Sequence, residues 1–277
     1  MLLLATGPLL AHSDLNLQIE KLSQEISVQP DNTELLLRRG DLHRRHGDWD
    51  AGKRDFEKVR ELQPDHPRID WFEGRLLVVA GEYRQGDVLL TRFLVNTPNH
   101  SGAHQVRAIA REHLDQPLKA ADDYRAAVNS SERPSPSLYR SLVLSYISAG
   151  IGYTDSAISA VDEGLGLFPF EVSLLGLGAD LSLSRSDVQA AAEYMAGVQP
   201  GLLKLPQWRF RLALRSCTGG ETGAAASQFA ALLAAAPEDG TKRTGTWQPP
   251  RGMLASLATN PAAEACSKAA WDTLQIQ

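Results

Sequence analysis

An all-α stack of helix–turn–helix units is the fold class that this 277-residue sequence predicts. Three observations carry that reading. Pro30-Asp31-Asn32, Pro64-Asp65-His66 and Pro98-Asn99-His100 recur at intervals of 34 residues. Gly40 and Gly74, Gly47 and Gly81, Trp49 and Tyr83, and Gly52 and Gly86 keep the same interval. Within each interval lie two amphipathic stretches, such as Glu34 to His46 and Trp49 to Leu62, joined by a Gly-Asp break and closed by a Pro. Self-similarity at a fixed spacing of this length marks stacked supersecondary units, none of which can bury its apolar face alone.

Taken in chain order, residues 1–13 open with the apolar run MLLLATGPLLA, and Ala11-His12-Ser13 has the small-x-small form of a signal-peptidase site. Export is the expectation, to the periplasm or the medium, although no Lys or Arg precedes the run. The alternative is an apolar start to the first helix in a cytoplasmic protein. Residues 14–32 read as one helix that covers the exposed face of the first unit. The repeat array is placed at 33–237. A loop and capping helices follow at 238–277, where 238–252 has turn composition and Asn260-Pro261 resembles a helix start.

The repeats resemble the tetratricopeptide family. The family pattern has a small residue at position 8 of the unit, Gly at 15, an aromatic near 17, Ala at 20, an aromatic at 24, a small residue at 27 and Pro at 32. Unit one supplies Gly40, Gly47, Trp49, Gly52, Phe56, Val59 and Pro64 at those places. Unit two supplies Gly74, Gly81, Tyr83, Gly86, Leu90, Phe93 and Pro98. Unit three keeps Ala108, Ala120, Tyr124 and Ala127 but has Asp115 in place of the turn glycine. Unit four has Tyr139, Gly150, Ala157 and Pro169 with a loop about two residues longer. Unit five has Ala179 and Ala191 and an early Pro200, and unit six restores Ala213, Gly220, Ala225, Phe229 and Pro237. The resemblance implies a right-handed superhelical solenoid of about six units.

The resemblance also implies a concave wall, lined by positions 2, 5, 9 and 12 of each first helix, that binds a protein or an extended peptide. Those positions are Glu34, Leu37, Asp41 and Arg44, then Arg68, Trp71, Arg75 and Val78. Unit three contributes Gly102, Gln105, Ile109 and Glu112, and unit four Ser137, Arg140, Leu144 and Ile147. Trp71 between Arg68 and Arg75 is the main anchor candidate, and the competing reading packs it between helices. The family's carboxylate-clamp subgroup needs Lys and Asn at positions 5 and 9 of its first unit, where this chain has Leu37 and Asp41. The basic run Arg38-Arg39 to Arg44-Arg45-His46 is either a solvated face paired with nearby acids or a contact for an acidic segment.

The remaining composition excludes more than it identifies. A net charge of −5 argues against a dedicated nucleic-acid binder, and no run approaches the ~20 apolar residues that cross a bilayer. Residues 1–130 hold 17 Lys/Arg and 20 Asp/Glu, against 11 and 13 in the rest. The Ala-rich C-terminal half is therefore either closely packed helix or the contact surface of a permanent complex. Cys217 and Cys266 are the two cysteines. In an exported chain they would form one disulfide, closing a loop of about fifty residues and contributing roughly 4 kcal/mol; in a reducing cytosol they would be buried thiols. Trp247 and Trp271 are expected to pack.

No catalytic motif is present, and neither a cofactor nor a metal is expected. His100 and His104 have ligand spacing on a helix, but their place in a turn argues for ordinary histidines. The expected role is a non-catalytic scaffold or adaptor. The alternatives are a chaperone-like holder of exported chains and an accessory subunit of an envelope complex or enzyme.

Overall fold

The computed structural model describes residues 7–221, 223–225, 227 and 228. Among them are twelve α-helices, two short 3₁₀ turns and no strand. The chain divides into two compact units, Met1–Pro134 and Ser135–Gln277.

The first unit contains α1 (Gly7–Val28), α2 (Thr33–His46), α3 (Trp49–Leu62), α4 (Ile69–Val79), α5 (Tyr83–Asn96), α6 (Ser101–His113) and α7 (Pro117–Asn129). Each helix packs on its successor, and the first helix of each pair also meets the next first helix, α2 with α4 and α4 with α6. Side chains start the helices where the proline-led turns end. The Asn32 side chain accepts from the Leu35 amide and Asp48 from Ala51, satisfying donors that a helix start leaves without partners. The break within a pair is a left-handed residue whose position recurs throughout, with φ of 88° at Gly47, 84° at Gly81 and 56° at Asp115. Asp tolerates this conformation better than most residues that carry a Cβ, so the third repeat turns in register without its glycine.

The small positions receive bulky neighbours, as the repeat pattern predicts. A Cβ on Gly40 of α2 would overlap the Phe56 ring of α3, and one on Gly74 would lie 2.9 Å from Leu90 Cγ. Phe56 and Leu90 are fully buried. Helix α1 begins at Gly7 and so runs across the boundary expected after Ser13, while residues 1–6 lie outside the described residues. From Leu15 onward it behaves as a cap: Leu22 and Ile26 are buried, and Leu15 and Ile19 pack on the same cluster as Leu36, Leu37, Phe56 and Val59.

The second unit contains α8 (Pro136–Ala149), a 3₁₀ turn at Ile151–Tyr153, α9 (Thr154–Leu167), α10 (Val172–Ser184), α11 (Val188–Ala196), a 3₁₀ turn at Leu202–Lys204 and α12 (Pro206–Thr218). The first 3₁₀ turn takes up the longer loop of the fourth repeat. A residue of positive φ reappears at Gly150 (111°), Ser186 (61°) and Gly220 (79°). Ser186 therefore identifies the fifth repeat as a full unit, although its sequence match is the weakest. Helix α10 is buried on nearly all sides, packing on α8, α9, α11 and α12 around Leu175, Ala179, Leu183 and Trp208. Cys217 is disulfide-bonded. Cys266, Trp247, Trp271, Pro237, Phe229 and the predicted loop and capping helices at 238–277 lie outside the described residues.

Candidate protein-interaction surface

The structure divides the predicted groove residues into three groups. Leu37 and Val78 are core, at 0% and 5% exposure, so neither is available to a partner. Leu37 joins the cluster beneath α1, and Val78 packs against the bare backbone of Gly86, where a Cβ would lie 2.6 Å from its Cγ2. An apolar side chain at these positions faces the neighbouring helix rather than solvent, which is why the family assignment misplaces them. Ile109 is half-buried against the cluster of Val78, Leu90 and Phe93. Gln105 and Arg140 are exposed.

The charged members pair with one another across successive first helices. Glu34 on α2 bonds to Arg68, its counterpart one repeat later. Asp41 Oδ1 accepts from Arg75 Nη2 at 2.7 Å, again one repeat away, and from Arg44 Nε at 2.8 Å. These rungs occupy much of the charge that a ligand would otherwise meet. Trp71 is half-buried, with its ring 5.9 Å from Phe93 and 4.7 Å from His100. The Arg75 guanidinium lies 4.6 Å from the Trp71 ring centroid, a cation–π contact. The packing reading of Trp71 therefore holds for one side of its ring, and Arg75 covers part of the rest. Of the basic run, Arg39 and Arg44 are taken up by acids, whereas Arg38 and Arg45 are exposed with no ion pair among the described residues.

His100 and His104 are occupied by structural work. His100 Nδ1 accepts from the Ala103 amide at 2.9 Å as the N-cap of α6. Burial holds its pKa below the ordinary value; an interaction with its own backbone acts the other way, and the nearby Arg75 and His104 add to the lowering. The folded state thus favours neutral His100, so its contribution is complete above ~6.5 and is lost as pH falls through the depressed native value. His100→Ala should cost about 0.5–2 kcal/mol. His100→Asn, which keeps an acceptor, should remove this part of the pH dependence. Urea unfolding at pH 7.5 and 5 checks both, and equal pH slopes in wild type and the Asn variant would refute the capping role. His104 Nε2 lies 2.7 Å from the Pro98 carbonyl oxygen, and Nδ1 lies 3.2 Å from Asp123 Oδ1.

Two buried polar clusters have the same plan, 68 residues apart. Arg39 on α2 donates to both carboxylate oxygens of Asp55 on α3, at 2.9 and 2.6 Å, and to Ser23 Oγ on α1 at 3.1 Å. Arg107 on α6 repeats this with Asp123 on α7, at 2.9 and 2.6 Å, and Thr91 Oγ1 on α5 at 3.1 Å. Helix α1 therefore stands to α2 as α5 stands to α6, the place of a second-type helix from a repeat before the first. Arg111 and His104 add to the Asp123 cluster. The recurrence of Ser/Thr, Arg and Asp at this spacing is present in the sequence, and it is the signal that could have found both clusters.

A groove of about 460 Å³ opens where α1, α2 and α4 meet. Leu22, Leu42 and Phe72 form apolar parts of its wall, with Lys21, Glu25, Arg38 and Asp41 among its polar groups. None of its α1 residues belongs to the predicted concave set, because the family pattern has no place for a helix outside the repeats.

A family model described as tetratricopeptide repeat matches residues 37–85. Comparison with curated protein sequences returns no significant match. Among solved structures, the chain is similar to PilW, a widely conserved type IV pilus biogenesis factor, at 17% identity over 70% of this chain and 87% of that one, with a TM-score of 0.56. It is similar to YrrB, a tetratricopeptide repeat protein with an unusual peptide-binding site, at 14% identity over 65% of this chain and 91% of that one, TM-score 0.55. It is also similar to MamA from Desulfovibrio magneticus RS-1, at 17% identity over 58% and 90%, TM-score 0.51. Residues 37–85 match the tetratricopeptide repeat in sequence, and the likeness to the solved structures is one of fold.

Proposed function

We propose that this chain is a non-catalytic scaffold that binds a partner protein or peptide segment on the surface formed by its first-type helices. The observation that carries this reading is that surface in the first unit: fixed rungs of paired charge, a half-exposed Trp71, exposed Arg38 and Gln105, and an adjoining groove. The tetratricopeptide match and the peptide-binding site described for YrrB support the same role. Paired, rigid charge favours a specific adaptor over a promiscuous holder, which is better served by adaptable apolar surface. The Ala-rich second unit is the alternative attachment point for a permanent partner.

Export is part of the proposal. Cleavage after Ser13 would leave Leu15, Ile19, Leu22 and Ile26, so the capping contacts of α1 would survive it. A disulfide at Cys217, with Cys266 as the other cysteine of the chain, suits an oxidising compartment.

Site-specific photocrosslinking in cells tests the surface. A photoreactive residue at Arg38, Gln105 or Arg140 on first-type helices should yield one stoichiometric adduct, and the same probe at Glu57 or Arg84 on second-type helices should not. An adduct confined to the second-type positions would move the binding surface, and no adduct anywhere would sink the scaffold reading.

A further inference from the structure

The groove at α1, α2 and α4 has a charge balance that identifies what it would bind. Its apolar wall is made by Leu22 and Leu42, both nearly buried, and by the half-exposed Phe72 ring. The Arg68 and Arg75 guanidinium carbons lie 5.6 and 6.0 Å from the Phe72 ring centroid. Of the two acids in the lining, Asp41 is already bonded to Arg44 and Arg75. Glu25 therefore stands alone against Lys21 and Arg38, two exposed cations that make no ion pair among the described residues. The volume of about 460 Å³ lies within the range of roughly 300–1,000 Å³ typical of ligand sites. Apolar wall and cationic rim together suit a ligand that is apolar at one side chain and acidic beside it.

We infer that this groove takes an acidic peptide segment of the partner, which inserts one aliphatic or aromatic side chain against Leu22, Leu42 and Phe72 and sets a neighbouring carboxylate between Lys21 and Arg38. The inference rests on the scaffold reading and deepens it by naming the chemistry of the partner. It also gives α1 a second task, since the helix that caps the array supplies one wall and one cation of the site. Within the basic run Arg38 is the cation open to an acidic segment, whereas Arg39 and Arg44 are held by acids of the chain itself.

Selection from a random 12-residue peptide display library tests the assignment, using the full chain, the Lys21→Glu/Arg38→Glu double variant and an Arg84→Ala control on a second-type helix, outside the groove lining. Both exchanged groove residues are exposed, and circular dichroism with thermal melts checks that the double variant stays folded. Wild type should enrich peptides with Asp or Glu beside Leu, Ile or Phe. Their affinity should fall at least about tenfold in the double variant and weaken with added salt. The double variant should in turn enrich basic peptides, a gain that loss of folding could not produce. Acidic peptides that bind wild type and double variant equally, or enriched peptides without acidic residues, would overturn the groove assignment and leave the scaffold reading standing. Failure to enrich any peptide on wild type would count against both.

Discussion

Asp123→Asn should destabilise the protein by about 3–5 kcal/mol, among the largest effects expected from a single exchange here. The Asp123 side chain is 3% exposed and serves Arg107 through both carboxylate oxygens, Arg111 at 2.9 Å and His104 at 3.2 Å. Neutralising it leaves the Arg107 guanidinium, at 13% exposure, without its counter-charge, and leaves Arg111, at 16%, with Asp87 alone at 2.9 Å. The cost arises from that uncompensated charge more than from the value of the pair itself, because desolvation offsets much of a buried ion pair. Burial alone would raise the Asp123 pKa, and it is the largest single influence. The hydrogen bonds from His104 and Arg107 and the charges of Arg107 and Arg111 together outweigh it, holding the carboxyl below the ordinary aspartate value. A depressed native pKa gives stability that is complete above ~3.9 and lost as pH falls through the native value. Wild type and variant should therefore converge in acid. Chemical unfolding at pH 7 and across the acid range measures both effects, and a variant within about 1 kcal/mol of wild type at pH 7 would contradict them.

Phe56→Ala should cost about 3–5 kcal/mol, since the ring is 1% exposed and fills the gap opened by Gly40. Gly40→Ala should cost about 1–3 kcal/mol, even though Ala is the better helix former by ~1 kcal/mol. Its methyl group would overlap the Phe56 ring, held in place by Leu36, Leu37 and Val59 of the same cluster. The telling result is the double variant. With the ring gone, the methyl group introduced on α2 has room, so Gly40→Ala/Phe56→Ala should be less destabilised than the sum of the two. Additive losses in a double-mutant cycle would show that Gly40 answers to something other than Phe56. The same logic links Gly74 to Leu90, so the cycle tests the packing rule of the array as well as one contact.

The paired charges bear on specificity. Glu34–Arg68 and Asp41–Arg75 tie successive repeats at like positions, which fixes side chains that would otherwise have to be ordered on binding. On the proposed function a partner would meet a largely preset pattern, and recognition would depend on the cations left without acids, Arg38 and Lys21 foremost. Binding is expected to discriminate by charge, and the reciprocal selection above reads that directly.

Local sequence alone determined the repeat length, the helix pairs and their breaks, because those depend on short-range chemistry: caps at Asn32 and Asp48, left-handed turns at Gly47 and Gly81, and small residues where helices approach. Tertiary structure decided which polar residues are available. Leu37 and Val78 share the periodicity of Asp41 and Arg75, yet they face a neighbouring helix and are buried. In the run from Arg38 to Arg45, adjacent arginines differ only in where the helix turns them, so Arg39 meets Asp55 and Ser23 while Arg38 meets solvent beside the α1 groove. Asp115 and Ser186 show the same limit from the other side, since a left-handed turn can be imposed on residues that do not advertise it. Helical periodicity assigns a residue to a face, but the partner of that face comes from another repeat. The groove is the clearest case: its walls come from α1, α2 and α4, segments whose meeting no local pattern specifies.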